Sequence, residues 1–193
     1  TDEARLAKNK QTAETLKATR LKRQSQTCRV YTLKITTNKL TKQQAENLKM
    51  VFVEAKWLRN HILSTNNISG YKLHNEVIVK NKDGEFEIRE LKHLVTHLKQ
   101  AVKTELEQNK KALKASKDKG RKIGALKYTS QVNSINLKEA GRTYQVRGDH
   151  VQIQKLGWMR VKGAEQLDGW ELANAKLIQK PDGYYLAVTC YKN

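Results

Sequence analysis

The sequence has few of the residues that mark crosslinked, metal-bound or membrane proteins. Its 193 residues include two cysteines, Cys28 and Cys190, which are too few for a disulfide framework and lack the paired spacing of a zinc site. No apolar run approaches the roughly 20 residues of a membrane span, and no secretory signal pattern opens the chain. We therefore expect a soluble, cytoplasmic protein with no disulfide and no membrane partner.

Negative charge is also scarce. The chain has 19 Asp and Glu against 38 Lys and Arg, so its formal net charge is +19 at pH 7. Solubility requires much less charge than this, and a polyanion is the expected partner. Four aspartates lie beside glycines, at Asp83, Asp149, Asp168 and Asp182. Such pairs are typical of turns and not of converging metal ligands, so we expect a binding protein without a catalytic centre or cofactor.

Four stretches follow one another along the chain. Residues 1–27 favour helix but have too few apolar positions for a buried stripe, which predicts a basic, partly exposed arm. Residues 28–40 contain alternating Tyr31, Leu33 and Ile35, a pattern that predicts a strand with one buried face. Residues 125–193 contain six short alternating runs separated by glycine turns, which predict a small antiparallel barrel. The fold class expected is therefore α+β.

The remaining stretch, residues 41–124, is predicted to hold two amphipathic helices. Thr41 and Gln44 have the spacing of a capping box at the start of the first helix. Its expected apolar stripe is Ala45, Leu48, Phe52, Ala55, Leu58 and Ile62. The stripe of the second helix is Leu91, Leu94, Val95, Leu98, Val102, Leu106 and Leu113, and Gly120 and Gly124 are expected to end it. Between the helices, alternating residues flank a turn at 81–84 and predict a β-hairpin.

Aromatic residues with basic neighbours suggest what the positive charge binds. They occur as Lys56-Trp57, Lys127-Tyr128 and Trp158 two residues before Arg160. Cations bind phosphates, and aromatic faces stack bases without sequence preference. Core packing is the alternative role for Trp57 and Trp158. His93 and His97 have a spacing that can hold a metal, but no third ligand accompanies them, so contact with bases or phosphates is favoured over a metal site.

Several motifs resemble, in the same order, landmarks of the TnpB (OrfB-type) proteins of insertion sequences. Residues 53–63 carry the small-basic-aromatic-x-x-Asn pattern of that family's opening helix. Residues 120–124, 154–161 and 182–189 look like its G-K-K-V-G, lP-K-L-G-W-v-k and G-x-Y-Y motifs. The spacing agrees from about residue 30 to the end. Two departures are Gln154, where the family often has proline, and the arm before Cys28, which has no counterpart.

The resemblance implies both a fold and a function. TnpB proteins, similar to the type V CRISPR nucleases, carry a guide RNA and open double-stranded target DNA beside a short adjacent motif. Residues 28–40 and 125–193 would then form the wedge, an OB-like β-barrel, and residues 41–124 an inserted helical recognition domain. Together these domains would hold the guide RNA, the target DNA and the RNA–DNA heteroduplex in a prokaryotic cytoplasm.

The resemblance also implies a nuclease domain that this sequence lacks. In the family a RuvC domain follows the wedge and cuts DNA with carboxylates that bind Mg²⁺. The sequence starts at Thr1 and ends at Asn193, before that domain would begin. We therefore expect the non-catalytic half of such a protein: either a fragment whose partner is a RuvC part of the same protein, or a natural nuclease-free binder.

The expected nucleic-acid contacts fall into three groups. The polar face of the second helix would meet DNA beside the target through His93, Thr96, His97, Lys99 and Gln100. The segment after that helix would bind guide or heteroduplex phosphates through Lys119, Arg121, Lys122, Lys127 and Tyr128. The first helix would support the same groove through Lys56, Arg59 and Asn60, and Trp158 would contribute from the barrel. Asn60 has an equally good alternative role as a structural hydrogen-bonding residue.

Two other functions remain open from the sequence. A conventional transposase-type DNA-binding protein would use the first helix in a helix-turn-helix and read duplex DNA without RNA. A basic structural RNA-binding protein of ribosomal type would bind one structured RNA and no DNA. RNA dependence and DNA binding distinguish the three.

Overall fold

A computed structural model describes residues 2–66 and 74–193, and the fold of these residues is α+β. Within them lie three α-helices and a seven-stranded antiparallel sheet that nearly closes into a barrel. The helices are α1 (Asp2–Gln24), α2 (Lys42–Thr65) and α3 (Thr96–Asp118). The strands are β1 (Thr27–Ile35), β2 (Glu76–Lys80), β3 (Phe86–Glu90), β4 (Ser134–Leu137), β5 (Tyr144–Arg147), β6 (His150–Ile153), β7 (Gly157–Lys162), β8 (Glu171–Lys180) and β9 (Gly183–Lys192). Thr1 and residues 67–73, which belong to the expected arm and helical domain, lie outside the described residues.

The barrel sheet has the strand order β4-β8-β9-β1-β7-β6-β5. An isolated bridge between Ala140 and Tyr144 links the regions of the two edge strands, and the Tyr144 hydroxyl donates to the carbonyl of Ala173 at 2.9 Å. Closure of this kind leaves few unpaired strand edges. All seven strands expected from the alternating pattern are present, so that prediction is confirmed.

Strand β1 is central to the barrel although it is far from its partners in sequence. It pairs with β9 on one side and with β7 on the other. Leu33 and Ile35 point into the barrel and are buried, together with Leu186, Val188 and Cys190 of β9. Because successive side chains point to opposite faces of a sheet, the residues between them form the outer face.

Helix α2 packs on the barrel and begins where the sequence predicts. The Thr41 hydroxyl accepts from the Gln44 N–H at 3.1 Å, and the Gln44 side chain accepts from the Thr41 N–H at 3.1 Å. This capping box satisfies two otherwise unpaired donors. Phe52 stacks on Tyr184 of β9 with ring centroids 5.9 Å apart. The expected stripe is buried except for Ala45, which is exposed because it lies in the first turn, outside the packed surface.

Helix α3 starts later than its apolar stripe suggests. Leu91, Leu94 and Val95 are buried, but they precede the first helical residue, Thr96. Their segment is held instead by Glu54 of α2, which is 1% exposed. Its carboxylate accepts from three successive backbone N–H groups, of residues 92, 93 and 94, at 3.0, 2.9 and 2.7 Å. Such groups would be costly if buried without acceptors, so Glu54 fixes where α3 begins.

The C-terminal end of α3 lies where the sequence predicts it, just before Gly120. The helix ends at Asp118, and Gly120 has a φ of +73°, the left-handed conformation that favours glycine after a helix. The Arg121 N–H donates to the Ser116 carbonyl at 3.1 Å. Gly124 lies four residues beyond, in the irregular segment that leads to β4.

The arm is an exposed helix attached to the barrel only near its end. None of the residues described in α1 is buried. Lys22 forms an ion pair with Glu171 at 2.7 Å, Gln26 donates to Asn193 at 2.8 Å, and the Arg23 guanidinium lies 4.6 Å from the Tyr191 ring centroid.

Across residues 2–66 and 74–193, none of the helices combines the length and the apolar composition needed to cross a membrane.

Candidate nucleic-acid interface

A groove of about 710 Å³ lies between α2, the β2–β3 hairpin and the segment after α3. Four cationic and three aromatic residues line it: Lys56, Lys80, Lys82, Arg89, Trp57, Phe86 and Tyr128. We call it the basic–aromatic groove. No carboxylate is among the described residues that line it. Its polar and aromatic lining matches the two contacts that a nucleic-acid strand offers, phosphates and base faces.

One wall of the groove is positioned by two neighbouring residues of α2. The Asn60 amide donates to the Thr129 carbonyl at 2.9 Å and accepts from the Thr129 N–H at 3.0 Å. The Arg59 guanidinium donates to the Lys127 carbonyl at 2.9 Å. Tyr128 lies between these anchored residues, and its side chain is 67% exposed. Asn60 therefore has the structural role that the sequence left open, and both residues hold Tyr128 at the groove.

The opposite wall is the hairpin. The Arg89 guanidinium lies 4.6 Å from the centroid of the half-buried Trp57 ring and also pairs with Glu87. Phe86, at the start of β3, is 75% exposed. Lys80 pairs with Phe86 in the strand register. Within the described residues, Lys56, Lys80 and Lys82 form no salt bridge, so their charges are available to a ligand.

A buried histidine attaches the hairpin to α2. The Ile78 N–H donates to Nδ1 of His61 at 3.1 Å, and His61 is 7% exposed. Its ring packs edge-on against His74, with centroids 4.8 Å apart. Burial, and then the neighbouring His74, lower the pKa of His61 from its usual 6.5. The neutral ring is therefore favoured, and a neutral ring can accept this hydrogen bond.

A second, smaller cavity of about 360 Å³ lies between α3 and the β4 side of the barrel. We call it the amide pocket, because Gln100, Gln108, Asn136 and Asn174 line it, together with His97, Glu139 and Arg142. Within the described residues the four amide side chains have no hydrogen-bond partner. Amides can both donate to and accept from base edges, so this pocket offers polar contacts without exposed rings.

Only part of the polar helix face expected from the sequence is present: Thr96, His97 and Lys99 of α3 line a further cavity of about 700 Å³. His97 and Gln100 line the amide pocket, and Thr96 is exposed at the first turn of α3. His93 precedes the helix, and its Nδ1 lies 3.0 Å from the Asn47 amide oxygen. Lys99 is buried and donates to the Asn75 side chain at 3.0 Å, and burial lowers its pKa. The expected face is incomplete because Glu54 binds the N–H groups of residues 92–94 ahead of the helix and Lys99 is bound to Asn75.

The basic residues after α3 lie on an exposed segment. Lys119, Arg121 and Lys122 are exposed and form no salt bridge within the described residues, but they do not line the groove. Lys127 is also exposed, and its carbonyl is the acceptor for Arg59. These side chains extend the positive charge from the end of α3 towards Tyr128.

Trp158 lies apart from both cavities. It is on β7, is 37% exposed and has the Arg147 guanidinium 5.4 Å from its ring. Its carbonyl accepts from the Gln44 side chain at 2.8 Å. Of the 14 residues expected to contact nucleic acid, Lys56, Asn60 and Tyr128 meet in the basic–aromatic groove, and His97 and Gln100 meet in the amide pocket.

Sequence reasoning missed the hairpin side of the groove. Lys80, Lys82, Phe86 and Arg89 were not among the expected contacts, although the hairpin itself was predicted correctly. The available signal was Phe86, a large apolar residue at a strand end between charged neighbours. The packing of Arg89 on Trp57 depends on tertiary structure and has no local signature.

The described residues include no group of three or more His, Cys, Asp or Glu side chains placed to hold a metal ion. Comparison with models of known protein families and with curated proteins gave no match.

Proposed function

We propose that this chain is the guide-RNA and target-DNA binding lobe of a TnpB-like RNA-guided nuclease. The observation that carries the proposal is the basic–aromatic groove, where lysines that form no salt bridge with any described residue surround exposed rings. Base pairing between guide and target would supply sequence specificity, while the protein supplies charge and shape.

The chemistry of the groove favours a nucleic acid over other polyanions. Lysine ammonium groups bind phosphates of any source, but Phe86 and Tyr128 present ring faces that only a ligand with flat, apolar groups can use. A base stacked on such a ring is worth about 1–3 kcal/mol. The combination is therefore best satisfied by a strand with at least some unpaired bases.

The arrangement of the chain supports the same proposal. Strand β1 joins the barrel before residues 41–124, and β4 to β9 complete it afterwards. In the proposal the barrel is an OB-like wedge and the intervening helices and hairpin are a recognition domain inserted into it. The guide RNA, the target duplex and the RNA–DNA heteroduplex would lie along the surfaces that these parts present.

In this proposal, cutting would be the task of a RuvC domain that binds Mg²⁺. In that arrangement the lobe binds and positions the nucleic acid. The proposal therefore assigns no catalytic residue here.

A helix-turn-helix protein is less well supported by the same observations. That motif joins its two helices by a turn of about 3–4 residues, whereas α2 and α3 are separated by residues 66–95, which include the hairpin. The amide pocket also involves both α3 and the barrel, so α3 is not free on all sides to enter a groove of duplex DNA.

The test is binding by the chain purified with and without RNase. We expect RNA to co-purify, and we expect tight binding to that RNA and weaker binding to duplex DNA alone. DNA binding should strengthen when a complementary guide is present. Sequence-specific duplex binding that is indifferent to RNA would overturn the proposal in favour of a conventional DNA-binding protein. Binding to one structured RNA, with no DNA contact even with a guide, would favour a structural RNA-binding protein.

A further inference from the structure

The β2–β3 hairpin has one face against α2 and one face open to solvent. Successive side chains of a strand point to opposite faces. The inner face carries the buried Val77 and also Arg89, whose guanidinium lies on the Trp57 ring of α2. The opposite face is exposed at every position. We call it the hairpin outer face, and its residues are Glu76, Ile78, Lys80, Phe86, Ile88 and Glu90.

The centre of the hairpin outer face is apolar. Ile78 and Ile88 are directly opposite each other in the strand register and are 51% and 71% exposed. Because the Cβ atoms of such a pair are about 5 Å apart, the two side chains form one patch. Phe86, two residues from Ile88 in β3, adds a large side chain to the same face. Clustered exposed apolar residues mark interaction sites, whereas single ones are ordinary.

The charge of the hairpin favours a protein as the partner of this patch. Residues 76–90 contain five acidic and three basic residues, a net charge of −2, in a chain whose net charge is +19. Two isoleucines flanked by glutamates offer little to a phosphate backbone, which binds where cations are concentrated. An apolar centre with a charged rim is instead the usual anatomy of a protein–protein interface.

The rim charges of the face are complementary to those of a second copy. Glu76 lies at the open end of β2 and Lys80 at its turn end, with Ile78 between them. They are about 13 Å apart along the strand, so they cannot pair with each other. Neither forms a salt bridge with any described residue. If two such faces stack about a two-fold axis that crosses the strands, each Lys80 meets the Glu76 of the other copy.

The same stacking satisfies two features that the single chain leaves unfavourable. The Ile78–Ile88 pairs meet at the two-fold axis and cover each other. Glu76 is directly opposite Glu90 in the register, and like charges in that position are destabilising. Glu90 has the Lys92 ammonium 3.5 Å away, and the second copy would bring a cation to Glu76.

We infer that the hairpin outer face binds the same face of a second copy of this chain and forms a two-fold symmetric dimer. The inference goes beyond the proposed function and does not depend on it. Six residues per copy are fewer than the roughly 20–30 of a standard interface, so the dimer is weak and forms at high protein concentration. Lys80 and Phe86 also line the basic–aromatic groove, so the dimer is a form of the chain without bound nucleic acid.

The first experiment follows the mass of the full chain, freed of nucleic acid, by sedimentation velocity up to several hundred micromolar. We expect the 22.2 kDa chain to associate reversibly into a dimer as its concentration rises. I78T/I88T keeps β-branched residues in both strands and should abolish this association. L16Q/L21Q removes two exposed leucines of α1 and is the matched control, which should dimerise as the wild type does.

Charge reversal tests the orientation of the two copies. E76K and K80E each bring like charges together twice in the dimer and should weaken association on the order of tenfold. E76K/K80E exchanges the two charges, keeps the net charge at +19 and should restore association to near the wild-type level. A stacking with like ends together predicts no such rescue, because it already opposes like charges.

A chain that stays monomeric over the whole concentration range would overturn the inference, and so would a dimer that I78T/I88T leaves unchanged. An exchange variant that associates no better than the single variants would also overturn it, since opposite ends would then not be in contact. Thermal unfolding checks that each variant is folded, and the charge variants at exposed positions keep the test decisive if I78T/I88T is unstable. Failure of the proposed function is a separate result, namely no RNA binding by the wild-type chain.

Discussion

Two cationic surfaces of the molecule are built by different means: the basic–aromatic groove, and the outer surface of the barrel at Lys34, Lys162, Lys176 and Lys180, which we call the basic sheet face. The sheet face follows from strand register, since backbone pairing alone places Lys34 beside Lys162 and Tyr185. The groove depends on side chains of α2 that bind the backbone of other segments, through Asn60 and His61. Single substitutions in α2 should therefore disrupt the groove and leave the sheet face intact.

The largest expected effect is a loss of stability when Glu54, which binds the segment before α3, is substituted. In E54Q, an amide replaces a carboxylate that accepts three backbone N–H groups, and its NH₂ cannot accept. We expect a loss of about 3 kcal/mol in the free energy of unfolding, because buried donors are left unpaired. Denaturant unfolding measures it. E46Q, an exposed glutamate of the same helix, is the control, and equal stabilities of the two variants would contradict the role of Glu54.

Next in size is the loss of the exposed rings of the groove. F86A/Y128A should lower the affinity for an unstructured RNA strand by about 1–3 kcal/mol per stacked base. The slope of affinity against salt should stay the same, because no cation is removed. Fluorescence anisotropy with a labelled strand measures both quantities.

Tyr185, the ring on the sheet face, provides the control for that prediction. Y185A removes the ring that two lysines and Asp182 already occupy on the sheet face, so it should leave single-strand affinity nearly unchanged. If Y185A weakens single-strand binding as much as Y128A does, the two surfaces do not differ in their access to bases.

A smaller effect should follow from releasing one groove wall. In N60A the segment around Thr129 loses two hydrogen bonds to α2, at about 1 kcal/mol each. Stability should fall by about 1–2 kcal/mol, and single-strand binding should weaken because Tyr128 is no longer held. N60D retains the acceptor and should fall between wild type and N60A. N109A, at an exposed asparagine of α3, is the control and should leave both stability and single-strand binding nearly unchanged.

The sheet and the groove also differ in how far the sequence predicts them. Strands with alternating apolar residues, such as β1 with Leu33 and Ile35, were predicted correctly from the sequence. The capping box at Thr41 and the hairpin were also predicted correctly. Local patterns do not encode which buried polar group receives a distant backbone N–H. For that reason Glu54, whose three donors lie about 40 residues away, was not anticipated, and Lys99 was expected at the surface although it is buried.

The smallest expected effect is pH dependence confined to the hairpin. Since burial lowers the pKa of His61 in the native state, the unfolded or detached state binds more protons below about pH 6.5. The attachment of the hairpin is therefore complete above that pH and weakens as pH falls through the native pKa. Protonation removes the acceptor for the Ile78 N–H, a bond worth about 1 kcal/mol. Amide exchange of Ile78, corrected for intrinsic rates, should accelerate on acidification in the wild type.

In H61Q the glutamine oxygen can still accept but cannot titrate, so the corrected exchange rate should be nearly independent of pH. The amide of Leu186 in β9, far from any such contact, serves as the internal reference for the barrel. An equal acid response of Ile78 in H61Q would assign the effect to another group, with His74 the first to test because its ring lies against His61. A parallel response of Leu186 would mean that acid destabilises the barrel and the hairpin together. The prediction that the pH dependence is confined to the hairpin would then be wrong.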